Sequence, residues 1–483
     1  MRYKSGISRA QDSFLPSCLD DYVDEEHLCR VISAFTETLD MAELGFKYSD
    51  TKDVGCKPFD PRMMLNLYIY GYLNRVRSSR RLQAETTRNI EVMWLLEKMV
   101  PDDKTIANFR KDNAVAIRKV FREFTIMLKS LELFGGELIA VDGTKIRANN
   151  SIDNNFNPKT AETALSNIDK RISEYMKALE ETDKAETDEI NPTNENLREA
   201  LTLLKERKLK IESASSRLRE PGGASIIDPD ARLMKQSGDS YSVGVCYNVQ
   251  TAVDAKNNLI AEFDIFDNTA DRGTLKKMSD RVRDILGVEK IISLADKGFY
   301  DGEDLAACEQ DGITCLVAKP ITSSSKRDET LDPNFSFEHF TYDKEKNCYI
   351  CPMKQELIFK KYGKHMKKDC GIYSSSKACL KCPERSKCIT YSAKRIPRLF
   401  YQDTLDIVDA RTKNNPEFYK KRKKMIEHPF GTVKRIWGFI QFLCRTKPKV
   451  GAEMSLTYLA YNLRRTINIF SGRKMSLLKA ITA

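Results

Sequence analysis

Two stretches of this chain share one pattern, and together they constrain the fold more than any bulk property does. Residues 138–143 read LIAVDG and residues 291–298 read IISLADKG. Each is a short apolar run, then an aspartate, then a turn. Short apolar runs bounded by glycine read as buried strands. A carboxylate at the end of such a strand is costly unless it serves a turn or shares a metal ion. Asp296 alone does not choose between these roles; Asp142, in the same setting, is the partner that favours a metal site.

The elements between and after them can be placed. SVGVCYNVQTAVDA is rich in Val, Tyr and Thr, Asn257 and Asn258 form a turn, and LIAEFDIF is a third strand. Asp271 is expected to cap a helix that carries Leu275, Met278, Val282, Ile285 and Leu286 on one face. EKIISLAD is the fourth strand, Asp301 starts a helix ended by Gly312, and TCLVAKP is the fifth strand. Three strands, helix, strand, helix, strand is the order of an RNase H-like fold, a mixed five-stranded sheet with helices in the α+β or α/β class. In that fold strands one and four lie side by side, which brings Asp142 to Asp296 across 154 positions.

Around this core, residues 1–130 read as a helical domain. PRMMLNLYIYGYLNRVRSSRRLQAET opens with Pro61 at the first turn and runs into Arg75, Arg77, Arg80 and Arg81. RNIEVMWLLEKM is a second helix, and Asp102 or Asp103 caps a third. Short Arg-rich helices fit a helix-turn-helix-like DNA-binding unit, and equally a helical domain with a charged surface. In residues 157–220, Leu165, Ile168, Ile172, Tyr175 and Leu179, then Leu197, Leu201, Leu204 and Ile211, recur at heptad spacing, as in an inserted antiparallel helical hairpin. The core then divides into residues 135–322 and 406–472, separated by a Cys-rich insertion at 323–405.

Charge points to a polyanionic partner. The chain has 80 Lys and Arg against 69 Asp and Glu, a net charge of +11. From Arg411 onward 17 Lys and Arg face three Glu and no Asp, a local +14. Such a region suits nucleic acid, or is a solvated basic surface. No signal peptide and no apolar run of membrane-spanning length is visible, so a cytoplasmic location is expected. Six of the thirteen cysteines fall between Cys348 and Cys388, which points to metal chemistry in a reducing compartment.

Phosphoryl transfer with two divalent cations, about 3.5–4 Å apart, needs oxygen ligands, and a third carboxylate completes the cradle. Across residues 418–442 Glu427 is the one acidic residue, in a segment holding Tyr419, Lys420, Lys421, Arg422, Lys423, Lys424 and Lys434. It is the candidate third ligand; the alternative is an exposed salt-bridge partner. Pro429 predicts a kink just after it. Trp437 suits either base stacking or the core.

The chain resembles the DDE transposases of bacterial insertion sequences over most of its length. The resemblance is carried by YGYLNRVRSSRRL, NIEVMWLL and PDDKTIANFRKDN, then LIAVDGTKIRANNS, YNVQTAVDAKNNLI and ADKGFY, then EHPFGTVKRIWGF and AYNLRR. It implies a catalytic triad of Asp142, Asp296 and Glu427 holding Mg²⁺ or Mn²⁺. It implies element ends and target DNA as partners, a homodimer on paired ends, and a nucleoid-associated bacterial enzyme. Tyr419, Arg422, Glu427 and Lys434 follow the Tyr-x2-Arg-x3-Glu-x6-Lys pattern of related transposases, except that four residues separate Arg422 from Glu427; Lys423 has the expected spacing. With Arg435, Arg75, Arg77, Arg80 and Arg81 they make up the expected DNA contacts. Cys348, Cys351, Cys379 and Cys382 are two C-x2-C pairs whose thiolates suit a closed structural Zn²⁺ site. The resemblance favours Cys351, Cys379, Cys382 and Cys388 instead, with Cys370 and His365 outside. Three activities fit: a cut-and-paste transposase, a relative that binds DNA without cutting, and an RNase H-like nuclease without strand transfer.

Overall fold

β1 (Leu138–Arg147) is the strand about which the molecule is organised. A computed structural model describes residues 18–49, 57–183, 192–235, 243–266, 268–320, 332–365, 368–389, 393–470 and 474–482. After β1 come β2 (Arg232–Lys235), β3 (Val243–Asp254), β4 (Ile260–Phe266), β5 (Ile291–Ala295) and β6 (Ile313–Val317). The sheet order is β2–β3–β1–β5–β6, with β4 also paired to β3. β1 is antiparallel to β3 and parallel to β5, and β5 is parallel to β6. The five strands expected from sequence are all present, and the first lies beside the fourth. The sheet has a sixth strand, β2, which the sequence hides because only four residues, two of them basic, form it.

Helices pack around this sheet. They are α1 (Leu28–Glu37), α2 (Pro61–Leu73), α3 (Ser79–Arg88), α4 (Ile90–Leu95), α5 (Asp103–Asp112) and α6 (Ala114–Ser130) before β1. The long helix expected from Pro61 breaks in two after Leu73. Asn74 closes the first part by donating from its amide to Tyr70 O at 3.1 Å, and Arg75 follows at φ +64°. Asp102 caps α5, accepting from Thr105 N at 2.8 Å, so the first of the two cap candidates is the one used.

α7 (Pro158–Asp183) and α8 (Pro192–Ser213) form the expected hairpin. Ile168, Ile172, Leu204 and Ile211 pack in a small core of their own. α9 (Leu275–Leu286) and α10 (Gly302–Gln310) follow β4 and β5. The Cys-rich insertion is a second, five-stranded sheet, all antiparallel, built from Thr341–Asp343, Cys348–Ile350, Glu356–His365, Lys368–Ser374 and Arg395–Leu399. Its core holds Phe340, Tyr349, Leu357, Tyr373 and Ile396.

The chain continues with α11 (Gln402–Asn414), α12 (Pro416–Phe430), a π-helical segment (Gly431–Ile436), α13 (Lys447–Ile469) and α14 (Lys474–Thr482), the last packed on α1. α13 is buried from Ala452 to Leu463. It packs on α2 and α6 and on β4. Tyr458 shares a 2.7 Å hydrogen bond with Thr251 of β3, and Asn462 pairs with both N–H and C=O of Ile260 in β4. One continuous hydrophobic core therefore runs from the N-terminal helices through α13 into the sheet. Among the described residues, no helix is long and apolar enough to cross a membrane.

Candidate active site

The register of β1 against β5 builds the site. Val141 stands opposite Ala295 in that parallel pair, so the next residues, Asp142 and Asp296, leave the pairing side by side. Asp142 is not at a strand end, as sequence suggested. β1 continues to Arg147 against β3, and it is β5 that stops. Further along, that edge of β1 is filled by the segment after α12: Arg147 N donates to Ile440 O at 3.1 Å and Phe442 N to Arg147 O at 2.9 Å. Asp296 opens a 3-10 turn, Lys297–Phe299, and accepts from Gly298 N at 2.6 Å.

Asp142 Oδ1 accepts from Gly143 N at 2.8 Å, and Oδ2 accepts from Arg422 Nη1 at 3.2 Å. Burial first, and the Asp296 carboxylate second, push the Asp142 carboxyl up to about 6, with Asp271 adding to the rise. The Arg422 guanidinium and the Gly143 N–H act the other way and do not cancel them.

Asp271 is the site residue that sequence reasoning misplaced. It was expected to cap α9, but Thr274 occupies that position, and the α9 N-terminus is served by Asp304 of α10, which accepts from Leu275 N at 2.9 Å. Asp271 turns to the sheet instead. Its Oδ1 accepts from Lys145 Nζ at 2.9 Å, Asn248 Nδ2 at 3.0 Å and Gln250 Nε2 at 2.6 Å. The signal was the alternating polar pair Asn248 and Gln250 between Tyr247, Val249 and Thr251, since both amides are fully buried and need partners.

α12 supplies the cations. Arg422 reaches Asp142, so the arginine with the irregular spacing is the one at the site. Lys423, with the expected spacing, instead meets Glu427 at 3.7 Å on the surface. Tyr419 is half-buried with its ring 5.8 Å from the Arg422 guanidinium. The helix continues through Pro429 to Phe430 and there passes into the π-segment, so the irregularity after Glu427 takes the form of a wider turn. Lys434, in that segment, donates from Nζ to Thr144 Oγ1 at 2.9 Å and Lys145 O at 3.2 Å, and burial lowers the pKa of its amine. Lys434 thus braces β1 two residues beyond Asp142. Arg435 is exposed, and Trp437 is half-buried against the core.

The side chain of Glu427 is 65% exposed. Among the described residues, one group of three His, Cys, Asp or Glu ligand atoms lies within 4.8 Å of one another, and it is His27, Cys29 and Glu91, not the three expected acids. That group is satisfied without an ion: His27 Nδ1 accepts from Cys29 N, and the Glu91 carboxylate meets His27 at 3.5 Å and Tyr70 at 2.7 Å. The Asp142 site is different. Asp142, Asp296 and Asp271 place three carboxylates in one neighbourhood with two cations, Arg422 and Lys145, more widely spaced than the atoms of the His27 group, and burial together with the other two carboxylates raises the Asp142 carboxyl. Oxygen donors with unbalanced charge fit a hard divalent cation such as Mg²⁺.

In the insertion, Cys351, Cys379, Cys382 and Cys388 line one cavity. Cys348 lies within a strand, opposite Ile358, and Cys370 donates its thiol to Gly363 O at 3.5 Å. Burial, and the neighbouring thiols of Cys379, Cys351 and Cys382, hold the Cys388 thiol up. In the N-terminal region Arg75, Arg80 and Arg81 are exposed. Arg77 turns inward, to Gln441 O at 3.1 Å and Glu453 at 3.4 Å.

Two sequence profiles match the chain. Residues 221–463, half of its length, match a profile described as "Transposase DDE domain". Residues 17–112 match one described as "Transposase domain (DUF772)". No curated protein and no solved structure matches it.

Proposed function

Because the chain belongs to the DDE-domain transposase family, we propose that it cuts DNA at the ends of a mobile element and joins the freed 3′ ends to target DNA. The observation that carries this is the β1–β5 register, which sets Asp142 and Asp296 together in a buried, charge-deficient corner. The strand order and directions support an RNase H-like reading of the core.

Asp142, Asp296 and Glu427 would hold Mg²⁺ or Mn²⁺. When bound, such ions supply the positive charge that phosphodiester cleavage requires at its attacking and leaving oxygens. The rest is done by the chain. Asp142 and Asp296 are fixed by backbone N–H groups, which sets the carboxylate directions before any ligand arrives. Arg422 pairs with Asp142 at 3.2 Å in the free protein and offsets part of its charge. Glu427, exposed and held only by Lys423 among the described residues, is available to a ligand arriving from solvent. The exposed Lys420, Lys421, Lys423, Lys424 and Arg435, with Arg75, Arg80 and Arg81, would grip phosphates. Lys434 supports the site through β1. Cys351, Cys379, Cys382 and Cys388 would close a structural Zn²⁺ site with no position left for catalysis. A dimer in the bacterial cytoplasm would hold the two ends together.

The test is a gel assay with Mg²⁺ and duplexes carrying the inverted repeats that flank the gene. The wild type is expected to cut and join. Asp142→Asn should lose cutting by at least a hundredfold and keep end binding within about twofold. An Asp142→Asn protein that still cuts removes the assignment. Binding without cutting, or cutting without joining, would instead identify a DNA-binding relative or a plain nuclease.

A further inference from the structure

We propose that Asp271 is a further metal-holding carboxylate of the Asp142–Asp296 site, anchored through one oxygen and presenting the other to the ion. The inference rests on the reading of that site as a metal centre.

Three observations carry it. The first is the asymmetry of the carboxylate. Oδ1 takes all three donors, Lys145, Asn248 and Gln250, whereas Oδ2 has no hydrogen-bond partner among the described residues. A carboxylate that served only as a brace for Lys145 would gain by sharing its donors between both oxygens. Here three donors fix its orientation and leave one anionic atom uncommitted.

The second is where that atom points. A Cβ on Gly298 would lie 2.8 Å from Asp296 Oδ1 and 3.5 Å from Asp271 Oδ2, so both oxygens face the same glycine. On the other side, a Cβ on Gly143, the residue after Asp142, would lie 2.4 Å from Asp271 Oδ1. Glycine at 298 leaves Asp271 Oδ2 room beside Asp296, and Gly143 receives Oδ1 on the sheet face opposite the Asp142 side chain, so Asp271 approaches the end of β5 from the other side of the sheet.

The third is an orphaned acceptor. Gln250 is fully buried and bonded to Asp271 through Nε2, yet its Oε1 has no partner. Buried polar atoms are nearly always paired, and an unpaired acceptor on a residue that anchors Asp271 marks a place for a cation or the water it carries.

The experiment is Mn²⁺ titration of the full-length protein, with free Mn²⁺ read by electron paramagnetic resonance. Asp271→Asn is the informative variant, because an amide oxygen still accepts from Lys145, Asn248 and Gln250 while the anionic second oxygen is gone. It is expected to weaken Mn²⁺ binding at least tenfold. Asp264→Asn, an acid paired with Lys277 and Arg281 on β4, should bind as the wild type does. Binding by Asp271→Asn within twofold of wild type overturns the proposal. Asp142→Asn, run alongside, separates the two readings: if only it loses Mn²⁺, Asp271 alone is struck out, and if neither variant loses Mn²⁺, the metal centre itself falls. Should Asp271→Asn fail to fold, Asp271→Cys decides by DNA cleavage. Loss with Mg²⁺ and recovery with the more thiol-tolerant Mn²⁺ supports a ligand, and equal loss with both overturns it.

Discussion

At Asp142 burial, two carboxylates and one guanidinium act on a single carboxyl group, and the balance has a measurable consequence. Its pKa rises from 3.8 to about 6 on folding, so the fold favours the protonated form. The stabilisation from that proton is complete below pH 4 and is lost as pH rises through 6. For a side chain 22% exposed, the loss is roughly 1–3 kcal/mol. Without divalent metal, the wild type should therefore melt higher at pH 5 than at pH 7.5. Asp142→Asn should exceed it by a few degrees at pH 7.5, converge with it below pH 4, and gain nothing from Mg²⁺; differential scanning fluorimetry across pH reads all three. Asp142 and Asp296 were legible in sequence because an apolar run that stops at an acid is a local pattern. Asp271 was not, because an acid shortly before a helical stretch reads equally well as a cap. Arg422 and Lys423 could not be ranked by spacing, since adjacent helical residues point about 100° apart and only packing decides which faces the sheet.

Elements show the same division between local and non-local information. The hairpin α7–α8 was legible because Ile168, Ile172 and Leu204 recur at helical spacing, and that is enough to pair two neighbouring helices. β2 was not, because its residues become a strand only by pairing with the start of β3. In the insertion, the C-x2-C spacing suggests a metal but does not rank Cys348 against Cys388; the proposed choice of Cys388 draws on the sheet. Cys348 lies within a strand, opposite Ile358, while Cys388, on a short helix, lines one cavity with Cys351, Cys379 and Cys382. The purified protein should hold about one zinc per chain by atomic absorption. Cys382→Ser should lose it and expose the insertion to limited proteolysis, whereas Cys348→Ser should retain it; zinc retained in Cys382→Ser and lost in Cys348→Ser would reverse the assignment.

Over the whole molecule, the N-terminal region and α13 are joined by an ion pair as well as by apolar packing. Glu453 of α13 is fully buried and accepts from Leu443 N at 2.9 Å, Cys444 N at 3.0 Å and Arg77 at 3.4 Å. The same guanidinium lies 4.4 Å from the Phe439 ring. Arg77→Ala strands that carboxylate without its cation and should cost about 3 kcal/mol, seen as a lower urea midpoint with an unchanged slope. Arg77→Lys, which keeps charge but not the flat stacking surface, should recover part of it. Charge counting placed Arg77 among DNA contacts because composition records how many cations a segment has, not which way each one faces. α13 has a consequence for biosynthesis. Only the short α14 follows it in the shared core, and its partners on β3 and β4 lie some two hundred positions earlier. A ribosome that has released β1 to β6 has released every aspartate of the site, yet α13, which begins 130 positions after Val317, has still to be made. Competence to cut DNA should therefore arise late in synthesis, and a chain ending before residue 447 should be inert although it carries every acidic residue assigned to the site.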